Sequence, residues 1–254
     1  MSKGVLLYCF DTPEVAYHKL AERCVEQIKK HLKLEVTIVT NSETYDKFKP
    51  LGFVNYKIVE NSTGNFRPYR GKNISWNNLE RKNAYVDSPY DTTILMDCDY
   101  FVFTDNLCTY MDTDYDILMH DKVHDLTGMD MILKKNEATL PIVWATVTIF
   151  KKTEFTKKFF TLVAHIKEHW LHYKNLYRVA FRNYRNDYAF AIALHQLKGF
   201  KEHTDFIPTR MAMLAHEVDV LEMSEKGPTY KYKNTLGYVE DTDVHILDKE
   251  WVNG

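Results

Sequence analysis

The chain has 254 residues and a mass of 30.0 kDa, and its 45% hydrophobic and 27% charged content predicts an ordinary core and argues against wholesale disorder. This length allows one large domain and does not require two. A net charge of −2 and a sequence pI of about 6.6 exclude a globally basic nucleic-acid surface, although a local basic face stays open.

The cysteines and the amino terminus give no sign of a secreted or membrane-anchored protein. The four cysteines form no Cys-x-x-Cys pair, and we interpret them as small core residues. The amino-terminal apolar run "GVLLYCF" ends at Asp11, which is too short for the apolar core of a signal peptide or for a transmembrane helix. We therefore expect a cytoplasmic protein without a membrane anchor. The cysteines are Cys9, Cys24, Cys98 and Cys108.

The first part of the chain alternates between strand-like and helix-like segments. Short β-branched or apolar runs predict strands, and apolar residues at helical spacing predict helices. Alternating βαβ units indicate an α/β protein with a largely parallel sheet and helices on both faces. The predicted elements are a strand at 4–9, a helix at 13–32, the strand "EVTIVTN", a short helix "SETYDKFKPLG", the strand "FVNYKIV", a helix at 75–86 and a strand at 92–96.

The second part of the chain is less regular. From residue 223 to the end the sequence is polar and rich in Gly, Pro and Tyr, and we expect a wrapping tail there rather than a core element. The predicted elements before that tail are a strand in "DYDILMH", a long strand in "PIVWATVTIFKK", and helices at 153–173 and 183–197.

Two aspartates one residue apart, Asp97 and Asp99, follow the strand "TTILM" directly. Ligands of open α/β sheets bind beyond the carboxyl ends of the strands, where these residues fall. Residues i and i+2 of extended backbone face the same side, so both carboxylates can address one cation. Carboxylate ligands suit Mg²⁺ or Mn²⁺, which also bind substrate phosphates. An ordinary turn at the end of a strand is the alternative, and the residues alone leave both interpretations open.

Two other Asp-x-Asp patterns, in "MDTDYD" and "EDTD", show that this spacing also arises elsewhere in the chain. The stretch "DTDYDILMHDKV" fails as a calcium-binding loop because its sixth residue is Ile117 and its twelfth is Val123, where glycine and glutamate are needed. A solvated turn explains it better. Phosphatases of the haloacid dehalogenase type also carry Asp-x-Asp after a strand. Their motif sits on the first strand, however, and continues with Thr or Val where this chain has Phe101.

Four segments resemble nucleotide-sugar glycosyltransferases with the GT-A fold, above all those of the glycogenin and galactosyltransferase-like type. They are "YDTTILMDCDYFVF", "PIVWATVTIFKKTEFTKKFF", "RNDYAFAIAL" and "DVHILDKEW". Two of them depart from the family pattern. Trp144, Ala145 and Thr146 replace an Asn/Gly pair, and the last segment has shorter spacing without the family's glycine and proline.

The resemblance implies a single Rossmann-like GT-A domain over 1–254. It divides the chain into a nucleotide-sugar-binding half at 1–105, an acceptor half at 106–222, and a polar tail at 223–254 that completes the site. Asp97, Asp99 and His245 would bind Mn²⁺ or Mg²⁺, with Asp99 the more direct ligand and Asp97 also near the donor ribose. The metal would bridge the donor diphosphate, and Lys249 would add a second positive charge there. The glycogenin-like resemblance also favours a retaining enzyme.

The first strand end would hold the nucleotide base, through stacking on Tyr8 or hydrogen bonding by Asp11, with Thr12 beside them. Asp187 would orient the acceptor or act as a base. Arg81 and Lys82 precede the metal-binding strand and would pair with the donor phosphates.

Each of these roles has an ordinary structural alternative. His245 and Lys249 could be surface residues, and Tyr8 could pack in the sheet. Asp187 could be an acidic residue favoured at a helix amino terminus. Arg81 and Lys82 could simply lie on a solvated helix face, and for either residue alone this interpretation is slightly favoured over a phosphate contact.

The acceptor is not identified by the sequence. The stretches "NFRPYRGKNISW" and "NLYRVAFRNYRND" interleave basic and aromatic residues, which suits phosphate contact with base stacking, but an active-site lid and a basic helix face explain them as well. The few glycines and prolines and the absence of an anchor are compatible with a phage-encoded enzyme of the host cytoplasm. The acceptor would then be a hydroxymethylated base in DNA. A saccharide is the other candidate acceptor.

Two rival classes remain at this stage. One is a phosphatase of the haloacid dehalogenase type, and the other is a module that binds a sugar nucleotide or nucleic acid without turnover.

For the glycosyltransferase that the resemblance implies, we expect a UDP-sugar as the donor bound by this chain.

Overall fold

The fold is built on a six-stranded sheet, seen in a computed structural model that describes residues 1–60, 66–69, 72–75, 77, 79–128, 140, 142–180, 183–201, 205–215 and 217–253. The strands are β1 (Lys3–Tyr8), β2 (Glu35–Thr40), β3 (Val54–Ile58), β4 (Phe66–Tyr69), β5 (Lys72–Ser75), β6 (Thr92–Met96), β7 (Tyr100–Phe101), β8 (Ile117–His120), β9 (Val123–Asp125), β10 (Trp144–Lys151), β11 (Met211–Leu214), β12 (Asp219–Met223), β13 (Pro228–Tyr232), β14 (Thr235–Tyr238) and β15 (Val244–Ile246).

Helical segments connect these strands. The α-helices are α1 (Tyr17–Gln27), α2 (Ser42–Tyr45), α3 (Ala84–Asp87), α4 (Asn106–Met111), α5 (Glu154–Glu168), α6 (Trp170–Leu176) and α7 (Asn186–Leu197). A π-helical segment (Ile28–Leu32) extends α1, a 3₁₀ segment (Leu79–Asn83) precedes α3, and another (Glu250–Asn253) lies near the carboxyl terminus. Within the described residues, no helix is both long enough and apolar enough to cross a membrane.

The large sheet has the order β3-β2-β1-β6-β10-β8. Strands β3, β2, β1 and β6 are parallel to one another, and β10 runs antiparallel to both of its neighbours. The chain leaves β1 towards one edge of the sheet and returns to β6 on the other side of β1. The carboxyl ends of β1 and β6 therefore form a topological switch point, where open α/β sheets bind their ligands.

Alternating residues of the central strands pack on opposite faces of this sheet. On β1, Val5 and Leu7 belong to one hydrophobic cluster, together with α1 and the smaller sheet. Leu6 and Tyr8 belong to a second cluster, which includes α5 and α7. Burial of both faces explains why the parallel strands read as continuous apolar runs. The prediction of an α/β protein with a mostly parallel sheet and helices on both faces is confirmed.

A second sheet, in the order β7-β15-β11-β9, brings the end of the chain into the core. Strand β15 pairs in parallel with β11 and in antiparallel orientation with β7, which follows the Asp97–Asp99 pair directly. Val244 and Ile246 are fully buried. The expectation of a tail outside the core is therefore wrong for this strand, because its pairing partners are distant in sequence and leave no local signal.

Several predicted boundaries are corrected by tertiary packing. Ser75 belongs to β5, paired with β4, so the predicted helix at 75–86 is confined to Leu79–Asp87. The predicted helix at 153–173 is broken at His169, whose backbone is not helical. The amino-terminal ends of the predicted helices at 13–32 and 183–197 are not helical, since α1 begins at Tyr17 and α7 at Asn186.

Parts of the two basic and aromatic stretches lie outside the described residues. They include Arg70, Trp76, Phe181 and Arg182.

Candidate metal centre

The Asp97–Asp99 turn lies at the switch point of the large sheet. Strand β6 ends at Met96, which is paired with Leu7 near the end of β1. The backbone N–H of Asp97 donates to the carbonyl of Thr146 on β10 at 2.9 Å, and the carbonyl of Asp99 accepts from the N–H of Ile246 at 3.0 Å. The two aspartates are therefore held by the large sheet on one side and by β15 on the other.

Asp99 is buried between two basic side chains from the end of the chain. One carboxylate oxygen, Oδ1, lies 3.3 Å from Nε2 of His245, and the other, Oδ2, lies 2.5 Å from Nζ of Lys249. Burial alone would raise the pKa of Asp99, but the Lys249 ammonium and the His245 ring outweigh burial and hold this pKa well below its usual range. Asp99 is therefore a carboxylate at neutral pH.

Asp97 contacts a different cation, Arg81. The guanidinium Nη1 donates to Oδ1 of Asp97 at 2.6 Å, and the Arg81 side chain is only 1% exposed. Its Nε and Nη2 atoms are buried without a hydrogen-bond partner in the described structure. The solvated helix face considered for Arg81 is therefore wrong, because the 3₁₀ segment turns this side chain into the core.

Asp97, Asp99 and His245 fit a divalent cation. One ligand atom from each residue lies within 4.8 Å of the others. Two carboxylates and an imidazole form a donor set that suits Mn²⁺, and the carboxylates also suit Mg²⁺. Nε2 of His245 faces Asp99, and Nδ1 is buried without a hydrogen-bond partner among the described residues. In the described part of the chain, the other cluster of this kind is an exposed one on α5 and its carboxyl end, made of His165, Glu168 and His169.

One aspartate of each of the other two Asp-x-Asp patterns contacts a residue elsewhere in the protein. Asp112 is exposed and forms an ion pair with Lys3 at 2.5 Å. Oδ1 of Asp243 accepts from the N–H groups of Phe103 and Thr104, at 2.7 and 2.9 Å, and from the Thr104 hydroxyl at 3.0 Å. Asp243 thereby fastens the segment that carries His245 and Lys249 to the segment that follows Asp99.

Asp187 contacts strand β10, the strand that also holds the backbone of Asp97. Its Oδ1 accepts from the N–H of Ala145 at 2.9 Å. The next residue of β10, Thr146, supplies the carbonyl that holds the Asp97 N–H. Adjacent residues of one strand therefore contact both aspartates, and the amino terminus of α7 is attached to β10 through Asp187.

The residues predicted to hold the nucleotide base have partners inside the protein. The Tyr8 hydroxyl donates to Oδ2 of Asp87 at 2.6 Å, and burial, followed by the Asp87 charge, raises the pKa of Tyr8. Asp11 accepts from the His18 N–H at 2.9 Å, and its other carboxylate oxygen lies 2.7 Å from the His18 ring. The Thr12 hydroxyl oxygen accepts from the Val15 N–H at 3.1 Å. A base-binding role for these three residues stays a prediction.

The side chain of Lys82 contacts its neighbour Asn83 rather than Asp97. Its Nζ donates to Oδ1 of Asn83 at 3.4 Å. Burial lowers the pKa of Lys167 on α5, and the nearby positive charge of Lys82 lowers it further. Lys82 is therefore near enough to α5 to act on the charge of Lys167, and a contact of Lys82 with donor phosphates stays a prediction.

Sequence reasoning gave no individual role to Tyr184, which lies between two candidate site residues. Its hydroxyl is buried without a hydrogen-bond partner among the described residues. Burial raises its pKa, the Arg81 charge opposes that rise, and the Asp187 charge adds to it. The signal available in the sequence was its place three residues before Asp187.

Comparisons with known proteins give structural matches and no sequence matches. No protein-family model and no curated protein matches this sequence. The structure of an active-site mutant of LgtC has a TM-score of 0.50 and 14% identity, and the match covers 75% of this chain and 69% of that chain. A complex of the galactosyltransferase LgtC with donor and acceptor sugar analogs has a TM-score of 0.49 and 14% identity, covering 75% of this chain and 70% of that chain.

A further solved structure is the glycosyltransferase GlyE of Streptococcus pneumoniae, with a TM-score of 0.46 and 12% identity. That match covers 82% of this chain and 46% of GlyE, so the chain spans less than half the length of that protein. With the β-strand order and the switch-point site, the match to LgtC at a TM-score of 0.50 shows the fold. The chain has the GT-A fold that the sequence predicted.

Proposed function

We propose that this chain is a metal-dependent glycosyltransferase that moves a sugar from a nucleotide-sugar, a UDP-sugar in our expectation, to a hydroxyl group of an acceptor. The observation that carries this proposal is the convergence of Asp97 and Asp99 with His245 and Lys249 at the switch point of a GT-A sheet. The structural likeness to LgtC, whose solved structures include a complex with donor and acceptor sugar analogs, supports the same class of reaction.

In the proposed mechanism, Asp97, Asp99 and His245 hold Mn²⁺ or Mg²⁺. A bound divalent cation supplies Lewis-acid stabilisation of the diphosphate charge that grows as the glycosyl–phosphate bond breaks. Lys249 and Arg81 provide fixed positive charge on either side of the same carboxylates. Because these groups are buried, their attraction for an anionic donor is screened less than that of surface lysines.

We propose that Asp187 acts on the acceptor side of the site. The Ala145 N–H holds one carboxylate oxygen and fixes the orientation of the side chain at the start of α7. In our proposal this carboxylate orients the acceptor hydroxyl or removes its proton, and the enzyme retains the anomeric configuration. The acceptor half of the site includes Arg178 and Arg185, both of which are exposed.

The first test is a thermal-shift screen with Mn²⁺ and UDP-glucose, UDP-galactose, UDP-arabinose or GDP-mannose. We expect a shift with a UDP-sugar that requires the cation and that is lost in the Asp99→Asn variant. Asp112→Asn is the matched control, since it removes a carboxylate of the exposed Asp-x-Asp pattern. A folded Asp99→Asn protein that shifts as much as the wild type would refute the metal assignment.

The second test separates transfer from the rival classes. We expect metal-dependent release of UDP from the selected donor, with an increase when hydroxymethylated DNA or an oligosaccharide is added as acceptor. Binding without release would indicate a module without turnover. Release of phosphate from simple phosphomonoesters, with an aspartyl-phosphate at Asp97, would indicate a phosphatase instead.

A further inference from the structure

The buried charges at the candidate metal centre are already balanced within the protein. Asp97 contacts the Arg81 guanidinium, and Asp99 contacts the Lys249 ammonium. His245 is the third group and contacts Asp99 through Nε2. Each of the two negative charges thus faces a positive side chain, and the imidazole of His245 lies beside Asp99.

We propose that Lys249 is an internal competitor of the metal ion at Asp99, so that the cation enters the site efficiently only together with a diphosphate. This inference rests on the proposed function, because it assumes that the Asp97–Asp99–His245 cluster is a metal centre. It adds a regulatory role to the phosphate contact expected of this lysine.

Geometry is the first argument for competition. Nζ of Lys249 lies 2.5 Å from Oδ2 of Asp99. A divalent cation coordinated by the same oxygen would lie about 2 Å from it. The metal and the ammonium would then share one buried carboxylate, whose Oδ1 faces His245 and whose Oδ2 faces Lys249, and they would repel each other across it. The ammonium must therefore leave Oδ2 before this oxygen can bind the metal.

The lysine side chain permits this movement. Four rotatable bonds connect its ammonium to the backbone, and the ammonium donates hydrogen bonds without a fixed planar geometry. In the structure it also donates to the carbonyl of Leu247 at 3.1 Å, which gives it a second partner on its own segment. An arginine or a shorter cation could not exchange partners in the same way.

Charge balance is the second argument for competition. It also predicts that metal binding is coupled to nucleotide binding. A bare divalent cation would add two positive charges to a buried site that already contains Arg81 and Lys249. A diphosphate brings negative charge that restores the balance and offers the displaced ammonium a new partner. Binding of metal and of UDP should therefore be cooperative, and the coupling must be equal in both directions.

The experiment measures Mn²⁺ binding without nucleotide, by electron paramagnetic resonance of the free ion and by calorimetry. We expect Lys249→Met to bind Mn²⁺ about tenfold more tightly than the wild type, within the usual range of coupling energies. We expect the same variant to bind UDP more weakly in the presence of Mn²⁺. Lys249→Arg, which keeps the charge, should show no tightening. The control Lys226→Met removes an exposed lysine paired with Glu240.

The possible results of the Mn²⁺ titration distinguish metal competition by Lys249 from a merely structural role of this lysine. They also test the competition independently of the proposed glycosyl transfer. A merely structural lysine would, when replaced, loosen the site, so equal or weaker Mn²⁺ binding by a folded Lys249→Met protein overturns the inference. If that variant does not fold, Lys249→Gln is measured in the same way and with the same criterion. Tighter Mn²⁺ binding by the variant without any UDP release by the wild type would uphold the competition and reject glycosyl transfer.

Discussion

Arg81 and Asp97 form a buried ion pair, with Nη1 of the arginine 2.6 Å from Oδ1 of the aspartate. The arginine comes from the 3₁₀ segment before α3, and the aspartate follows β6. Asp97 is itself partly exposed at the candidate metal centre, whereas Arg81 is almost completely buried. The pair thus connects the protein core to the site.

We expect Asp97→Asn to lower the free energy of unfolding by about 3 kcal/mol, because it leaves the almost completely buried Arg81 guanidinium without its charged partner. Urea denaturation of Arg81→Met, Asp97→Asn and the double variant measures the coupling between the two side chains. Lys82→Met is the neighbouring control, with an expected change within about 0.5 kcal/mol. A coupling energy indistinguishable from zero would contradict the stabilising role of this pair.

We expect Asp243→Ala to destabilise the protein by about 2 kcal/mol, because hydrogen bonds to a charged group contribute about 1.5–3 kcal/mol. The carboxylate accepts three hydrogen bonds from Phe103 and Thr104. Metal affinity should fall as well, since His245 and Lys249 lie on the segment that Asp243 fastens. Denaturation and Mn²⁺ titration check the two effects.

Asp241→Asn is the matched control for this prediction. Asp241 is exposed and has a left-handed backbone with φ of 48°, which asparagine also adopts readily. It belongs to the same "EDTD" pattern but should leave both stability and metal affinity unchanged. An equal loss in the two variants would show that general charge, and not the three hydrogen bonds, holds the segment.

His120 makes stability depend on pH. Burial lowers its pKa from 6.5 to about 4. Between these values the unfolded chain binds more protons than the folded protein, so stability is fully present above about pH 6.5 and is lost as the pH falls towards 4. The maximum loss is on the order of 3 kcal/mol. Replacing His120 by Leu should remove this part of the pH dependence, measured by urea denaturation at several pH values.

His124 provides the comparison for His120, because it is exposed on the neighbouring strand β9. His124→Leu should leave the acid dependence of stability as in the wild type. If His120→Leu and the wild type lose the same free energy between pH 7 and 4, the buried histidine does not contribute as proposed.

Gly4 permits close contact between β1 and the Tyr90 ring. A Cβ atom at Gly4 would lie 2.3 Å from Cζ of Tyr90, and the Tyr90 hydroxyl is itself held 2.9 Å from Oγ1 of Thr37. We expect Gly4→Ala to lower the free energy of unfolding by about 1–3 kcal/mol through overpacking. Gly52→Ala, where the added atom would meet nothing within 4 Å, should show no such loss in thermal denaturation.

Local sequence patterns were sufficient to predict the strands of the parallel part of the large sheet. The predicted strands around β1, β2, β3 and β6 are confirmed, because β1, β2 and β6 are short apolar or β-branched runs buried in a parallel sheet, and β3 pairs with β2 at its edge. The position of Asp97 and Asp99 at a strand end was visible for the same reason. Helix boundaries were less predictable, since pairing of β5 with β4 and the break at His169 depend on contacts outside each segment.

The sequence was less informative about which side chains contact Asp97 and Asp99. The resemblance suggested His245 and Lys249, but nothing local showed that β15 pairs with β7 beside Asp99. Arg81 was considered for a solvated face because isolated arginines are usually exposed. Only its packing under Asp97 reveals a buried cation.

The sequence by itself determined the α/β class and the two aspartates at the end of β6, because strand and turn preferences act over a few neighbouring residues. The tertiary structure decided which cations face each aspartate. Arg81 reaches Asp97 because the 3₁₀ segment packs on the large sheet, and Lys249 reaches Asp99 because β15 pairs with β7 in the second sheet. The electrostatic balance of a buried site depends on distances of a few ångströms between such segments, and those distances are properties of the folded chain.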